Sequence, residues 1–376
     1  MNIKGNNVRL SDLKRLEAAL GSNPDSKLYI FGCTATELKL MQYLRLNSNV
    51  LERLAGFVVD DIRYNKEVFC DKPVYKYSAA EKMFRKGDAV AIGHNHDMAA
   101  RETLRKLPEC VEAAYFYLPA WYTEEKIFIA YDNDIDKLNA EFDKTYQLLS
   151  DEKSKQTMEA FINCCLNGCS DDLTPLIEKG QYFNPLTENC CVDNFLDCGA
   201  FDGDTIEDAV KFYGDRIKKI IAFEPDEANL KALSARMEKC GVDKSRLFLE
   251  CKGSWNEPAV LHFSSDGSAS GVSDSGDISI EVDRIDNILK TNGLRADFIK
   301  MDIEGSEKPA LSGAEETIKA YHPTLAISAY HKYDDLIEIP KLIEQLAGEG
   351  VYDFYLRHYG PSLIELVLYA IPKNAE

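Results

Sequence analysis

The sequence predicts an α/β protein with a doubly wound, mostly parallel sheet in its second half, preceded by a smaller α/β domain. Three observations carry this. Short β-prone apolar runs alternate with amphipathic stretches of about 10–15 residues, the pattern of βαβ units. A glycine-containing turn directly follows the apolar run FLD and opens a helical stretch. The tail then changes character, with YDFYLRHYG and SLIELVLYAIP flanking a Gly360-Pro361 turn, which reads as an antiparallel hairpin closing the sheet.

The elements follow in order. From Lys27 to about Leu118 the chain runs KLYIFG, ELKLMQYLRL, LAGFVVD, DAVAIG, AARETLRKL and EAAYFYL, alternately strand and helix. From Thr123 to about Cys191 the pattern is helical and polar, and SDEKSKQTMEAFINCCL reads as a capped helix in a connector that also serves as a lid. From Val192 onward, strands are expected at VDNFLDC, KIIAFE, RLFLEC, ISIEV, DFIKMD and TLAISAY. The expected divisions are 1–122, 123–190 and 191–376.

Composition narrows the function. At 45% hydrophobic and 28% charged, the chain has enough apolar residues for full cores and lacks the signature of disorder. A net charge of −19 counts against nucleic acid and against an anionic membrane, but leaves room for a small ligand carrying positive charge. No apolar run reaches the length of a transmembrane helix, and MNIKGNNVRLSDLKRLEAALG lacks the apolar core of a signal peptide. The 11 cysteines include no C-x-x-C, and the doublets Cys164-Cys165 and Cys190-Cys191 have the wrong spacing for a metal knuckle. Free thiols in a reducing cytoplasm are expected, with no cysteine-bound metal.

The strongest local signal is FLDCGAFDGDT, from Phe195 to Thr205. Gly199 and Gly203 permit a sharp turn and the close approach of a ligand. The next strand, KIIAFEP, ends in Glu224, where a doubly wound fold holds the hydroxyls of an adenosine ribose. A dinucleotide loop is normally G-x-G-x-x-G, whereas here the spacing is G-x-x-x-G and Asp197, Asp202 and Asp204 crowd the turn. Those carboxylates would repel a diphosphate and attract a sulfonium and an α-amino group. Helix capping accounts for Asp204 but does not explain Asp197, which precedes the glycine.

With these residues in view, DCGAFDGDT from Asp197, IAFEPDEANLKAL from Ile221 and DFIKMDIEGSEKPALSGA from Asp297 together resemble the FkbM family of S-adenosylmethionine-dependent methyltransferases, over about residues 190–372. The resemblance implies a Rossmann-like class I methyltransferase sheet with an antiparallel last strand, in agreement with the terminal hairpin. It implies that Asp197, Gly199, Ala200 and Gly203 wrap the methionine end and that Glu224 binds the ribose. Asp202, Thr205 and Pro225 join the cofactor contacts, with Ser254 or Trp255 of CKGSW bordering the adenine. The pair Phe201-Asp202 departs from the small or amide residues more usual there.

Asp302 and Glu304 lie at the end of DFIKMD, and Tyr330, His331 and Asp334 just past TLAIS, so adjacent strands would bring Asp302, Glu304 and His331 to one mouth. His331 is then a general base toward a hydroxyl, with Asp302 or Glu304 orienting it, and Asp302 also borders the cofactor. The alternatives are a surface histidine and, for Glu304, a helix-capping role before Ser306. A divalent metal on these groups is allowed but not expected. Asp132, Asp134 and Asp136 are spaced like a calcium loop but lack its glycine and distal glutamate, and His94 and His96 read as a polar loop.

The N-terminal run KLYIFGCTATELKLMQYL, LAGFVVDD, KPVYKYS is similar to the small Rossmann-like domain of some sugar-nucleotide acyltransferases, with Gly32 in the turn and Asp60-Asp61 ending the second strand. It implies either nucleotide-sugar binding or a vestigial role in dimerisation or in covering the site. The expected activity is methyl transfer to a hydroxyl of a saccharide or glycosylated metabolite. The alternatives are an NAD(P)-dependent oxidoreductase and a non-catalytic nucleotide-sugar-binding protein. The expected partners are a small-molecule or saccharide substrate and, optionally, a second copy of the chain.

Overall fold

The computed structural model describes residues 8–94, 105–117, 135–167, 172–263, 278–360 and 363–373. His96, Asp132 and Asp134 lie outside them, as do Pro361 of the terminal turn and much of the AARETLRKL helix. The chain divides into two compact units, Asn2–Asn139 with Glu159–Pro175, and Ala140–Met158 with Leu176–Glu376. The helical stretch expected as a connector is thus shared between them.

The first unit is built on α1 (Val8–Gly21), β1 (Leu28–Phe31), α2 (Ala35–Asn47), β2 (Leu54–Val59), β3 (Val68–Phe69), β4 (Lys72–Lys76), α3 (Tyr77–Ala80), β5 (Ala89–His94) and β6 (Glu112–Tyr117). Its six strands lie in the order β3-β4-β2-β1-β5-β6. All but the β3–β4 hairpin pair in parallel. Burial explains why β1 and β5 read as unbroken apolar runs rather than alternating ones, since strands of a sheet covered on both faces have no polar side. Tyr29, Phe31, Val58, Phe84, Val90 and Ile92 fill one of those faces.

The second unit begins with α4 (Ile135–Leu148) and α5 (Glu152–Asn167), each crossing the division. It continues through β7 (Asn194–Cys198), α6 (Asp204–Tyr213), β8 (Lys219–Phe223), α7 (Glu227–Lys239), β9 (Leu247–Glu250), β10 (Gly253–Ser254), β11 (Ala259–Phe263), β12 (Ile278–Asp283), α8 (Ile285–Thr291), β13 (Phe298–Met301), α9 (Glu307–Ser312), α10 (Glu315–Tyr321), β14 (Thr324–Ser328), α11 (Asp335–Ala347), β15 (Tyr352–His358) and β16 (Leu366–Pro372). Seven of these strands form a sheet in the order β15-β16-β14-β13-β7-β8-β9. Only β16 runs against its neighbours, so the terminal hairpin forms as expected and inserts its second strand beside β14. The direction of winding reverses between β7 and β13, and crevices at such a switch point are where open α/β sheets bind ligands.

One expected strand belongs elsewhere. ISIEV forms β12, but it pairs with β10 and β11 in a separate three-stranded sheet. It runs antiparallel to β11, from Ala259 opposite Val282 to Phe263 opposite Ile278, as a strand pair outside the main parallel ladder. Ser279 and Glu281 are exposed while Ile280 and Val282 turn inward, the alternation of a sheet with only one covered face.

The free edge of β15 is covered by two passing segments. Ser150 N donates to Phe354 O at 2.8 Å and Glu178 N to His358 O at 2.8 Å, leaving no bare ladder there. Asp151 holds this corner in two ways. Its Oδ1 accepts from Ser154 N at 2.8 Å, capping α5, and its carboxylate meets the buried Arg357 guanidinium at 2.5 Å. Burial opposes the charge, but Arg357 and Ser154 hold the Asp151 carboxyl down at about 2.

Asp151→Asn keeps the cap and removes the charge, so we expect a stability loss of about 1–2 kcal/mol at pH 7, below the usual figure for a broken buried pair because Asp151 is partly exposed to solvent. Asp151→Ala adds the loss of the cap, about 1 kcal/mol more. Because the folded carboxyl titrates low, the deficit of the Asn variant is full above about pH 4. It shrinks as pH falls toward about 2, which urea titrations at several pH values would show.

Candidate functional site

The site starts from a register. In the parallel pairing of β7 with β13, Asp197 stands opposite Lys300, so both side chains leave the sheet on one side. Asp197 is 0% exposed and Lys300 2%. Lys300 Nζ lies 2.9 Å from Asp197 Oδ1 and donates to Gly199 O at 2.9 Å. Burial pushes the Asp197 carboxyl up to about 6, while Lys300 beside it keeps it ionised at neutral pH. Burial works against the Lys300 charge as well, but Asp197 and Asp302 hold its pKa above the ordinary value.

This pair sets the floor under the glycine turn. Gly199 has φ +80°, and a Cβ on it would sit 2.1 Å from Asp302 O, so only glycine lets the turn lie against the end of β13. Gly203, at φ +84°, similarly faces Leu233. The turn is also tied to β8, because Gly199 N donates to Phe223 O at 3.0 Å and Phe201 N to Glu224 Oε2 at 3.0 Å.

Beyond the strand ends lies a cavity of about 570 Å³. Of the expected cofactor residues, Gly199, Thr205, Glu224, Pro225, Ser254, Trp255 and Asp302 line it. Asp197, Ala200, Asp202 and Gly203 do not, and the reasons are physical. Asp197 is turned to Lys300, and Ala200 is buried beneath the turn. Gly203 packs on Leu233, and Asp202 is drawn away to Arg236 at 2.5 Å. The carboxylates that do face the cavity are Asp204, Glu224, Asp302 and Glu304. Glu224 is fixed at 7% exposure by bonds from Phe201 N, Asp226 N and Asn229 Nδ2. The far wall is apolar, made by Leu261, Ile280 and Val282 of the small sheet. Sequence reading placed Ser254 of β10 at the site but gave β11 and β12 no part in it.

At the mouth, Asp302, Glu304 and His331 come together. His331 Nε2 lies 3.4 Å from Asp302 Oδ1 and 3.7 Å from Glu304 Oε2, and Nδ1 lies 3.0 Å from Glu307 Oε1. The imidazole is not a surface group, for its side chain is 8% exposed. Burial alone would lower its pKa, but Glu307, Asp302 and Glu304 together raise it to about 9. The three carboxylates thus hold the ring toward its charged form. That works against the lone pair the general-base reading needs, so His331 is taken below as a positioning residue. The capping alternative for Glu304 is corrected, because Ser306 is the N-cap of α9 and no side-chain cap bond forms there. Glu307 accepts from Ile303 N at 3.0 Å, while Glu304 is held at φ +55°, a strained conformation for a side-chain-bearing residue.

Sequence reading missed Lys300, Glu307 and Tyr182. A lysine inside the apolar strand FIKM was the available signal for the first. Tyr182 comes from a segment with no periodic pattern, yet its hydroxyl donates to Asp302 Oδ2 at 3.0 Å and lies 3.1 Å from Ser328 Oγ. Asp334, expected near His331, instead pairs with Lys308 at 2.5 Å.

The turn after β1 gives a second candidate. Gly32 there has φ +109°, and the space a phosphate would need is taken by the buried Glu37 carboxylate. Glu37 Oε2 accepts from Thr34 N at 2.6 Å and Thr34 Oγ1 at 2.8 Å, closing a capping box at the start of α2. An internal carboxylate at that helix start argues against an incoming anion.

Residues 197–351 match the family model described as the Methyltransferase FkbM domain. No curated protein matches the chain. Among solved structures, the chain is similar to a methyltransferase FkbM from Methylobacillus flagellatus KT at 21% identity and TM-score 0.68, covering 96% of this chain and 100% of that one. It is also similar, at 12% identity and TM-score 0.34, to the O-methyltransferase TomG from Streptomyces achromogenes in complex with SAM, covering 60% of this chain and 91% of that one.

Lys300→Met leaves the Asp197 carboxylate buried without its counter-ion, at an expected cost of about 3–5 kcal/mol at pH 7.5. The carboxyl then protonates more readily, because its raised folded-state pKa makes the fold favour the neutral form as pH drops. The deficit against the unsubstituted chain should shrink by pH 5, and guanidinium unfolding at the two pH values checks this. A deficit that does not change with pH would show that Asp197 is not the group at fault.

Proposed function

We propose that the chain, whose residues 197–351 match the Methyltransferase FkbM domain model, moves the methyl group of S-adenosylmethionine to a hydroxyl of a saccharide or glycosylated metabolite. One observation carries the acceptor half of this reading. A recess of about 480 Å³ shares Asp204 and Thr205 with the larger cavity and is otherwise lined by polar and aromatic groups, among them Gln181, Tyr182, Lys211 and Phe212. Polar groups that match hydroxyls beside a partly exposed ring suit a sugar, whereas the larger cavity's apolar wall and acidic turn suit an adenosyl sulfonium.

In this assignment Glu224 accepts from the ribose hydroxyls, and Leu261, Ile280 and Val282 pack on the adenine with Ser254 and Trp255 at its edge. Asp204 and Asp302 set negative potential around the sulfonium and its α-amino group. Methyl transfer forms a carbon–oxygen bond, breaks the sulfur–carbon bond and requires the hydroxyl to lose its proton. Holding the acceptor in line with the methyl group supplies most of the gain, up to about 7–11 kcal/mol. Asp302 or Glu304 is the acceptor-side carboxylate that takes the proton, and His331, 3.4 and 3.7 Å from them, is a positioning residue.

Calorimetric titration with S-adenosylmethionine and S-adenosylhomocysteine tests the cofactor half, with saturable binding expected. Glu224→Gln should weaken that binding by about 10–100-fold, the worth of hydrogen bonds to a charged group. Label transfer from methyl-labelled cofactor to saccharides, amines and thiols tests the acceptor half. Label recovered as a methyl ether is expected, and label on nitrogen or sulfur alone would overturn the hydroxyl assignment.

A further inference from the structure

We propose that Asp302, Glu304 and His331 form a binding site for a divalent cation of the Mn²⁺ type at the mouth of the cavity, with Glu307 and Tyr182 holding the ligands in place. The donor atoms of Asp302, Glu307 and His331 lie within 4.8 Å of one another. Proximity of acids alone would not make a site. The deciding observation is that His331 Nε2, on a side chain 8% exposed, makes no hydrogen bond among the described residues. It faces Asp302 Oδ1 at 3.4 Å and Glu304 Oε2 at 3.7 Å. Those separations exceed an N–H···O bond of about 2.7–3.2 Å. They are close to the spacing between donors that share one ion, about 3.0–3.4 Å for ion–ligand bonds near 2.1 Å.

The surroundings have the form of a ligand shell. His331 Nδ1 sits 3.0 Å from Glu307 Oε1, and a proton shared there fixes the ring and points Nε2 outward, where a bound ion takes the place of the Nε2 proton. Glu307 is itself 1% exposed and anchored by Ile303 N at 3.0 Å. Tyr182 donates to Asp302 Oδ2 at 3.0 Å, which leaves Oδ1 on the His331 side free for an ion. Of the neighbouring cations, Lys300 is engaged with Asp197 and Lys308 with Asp334, and the Lys332 side chain packs beside Gly305. Two carboxylates and one imidazole suit Mn²⁺ better than an all-oxygen ion such as Ca²⁺. Asp302 and Glu304 also line the cavity, so the ion would be open to acceptor oxygens. That last step rests on the methyltransferase reading, whereas the site itself does not.

The test is titration of the full chain with Mn²⁺ alone, following the electron paramagnetic resonance signal of the free ion. One saturable ion per chain is expected. His331→Gln and Asp302→Asn should each weaken it by at least about 10-fold, and Glu307→Gln by about 10–100-fold through its hold on the ring. Glu304→Gln alters an exposed side chain and serves as a variant whose folding is not in question. It should weaken binding several-fold, while Asp208→Asn on the exposed face of α6 should leave it unchanged. Absence of a saturable ion, or one whose affinity survives both His331→Gln and Glu304→Gln, overturns the proposal. Calorimetry with S-adenosylmethionine on the same preparations separates the two readings. Cofactor binding without the Mn²⁺ site removes only the metal, and a Mn²⁺ site without cofactor binding removes only the methyltransferase reading.

Discussion

The buried pair of Asp197 and Lys300 is the constraint from which the second unit's site is built. Both charges sit in the sheet at its switch point, where neither would be tolerated alone, and each offsets the desolvation of the other. Lys300 also grips Gly199 O, so the pair fixes the start of the glycine turn against the end of β13. From there the remaining positions follow. The turn hands Phe201 N to Glu224, and the β13 end places Asp302 between Tyr182 and His331. A buried ion pair adds little net stability over an apolar one. Its contribution here is positional, since it ties the two loops that form the cavity's inner wall.

The second theme is carboxylate surplus. Asp302, Glu304 and Glu307 surround a single imidazole, and Asp335, fully buried, is pushed up to about 7 by burial and by Glu307. Such a group is stable only if a positive charge stands within it. The same need recurs in the cavity proposed for the cofactor, where the inward-facing acids would match a sulfonium. The net charge of −19 therefore has a local counterpart at this cavity, where four carboxylates face inward.

Much of the architecture was legible because buried parallel strands must be apolar runs. KLYIFG, LAGFVVD, KIIAFE and TLAISAY announce themselves, and the terminal hairpin did so through its turn and its two β-rich flanks. ISIEV was equally visible as a strand, but periodicity says nothing about which sheet a strand joins, so its small sheet and the apolar wall it provides went unread. The residues brought to the mouth were legible from strand-end logic. Their charge states were not, because the pKa of His331 depends on Glu307, which nothing in the motif marks as its neighbour.

The sequence by itself determined the strand and helix inventory, the glycine positions where the backbone must take positive φ, and the acidic character of the turn. Those are properties of single residues and short spacings. Only the tertiary structure decided which acids face the cavity and which are spent internally. Asp197 and Asp202 look alike in DCGAFDGDT, yet one neutralises Lys300 from β13 and the other Arg236 from α7. Glu37 and Glu224 both follow strands of parallel sheets, but one fills its own turn and the other lines a cavity. The physical reason is the same throughout. A carboxylate's role is set by the cation or donor that meets it, and that partner is supplied by folding.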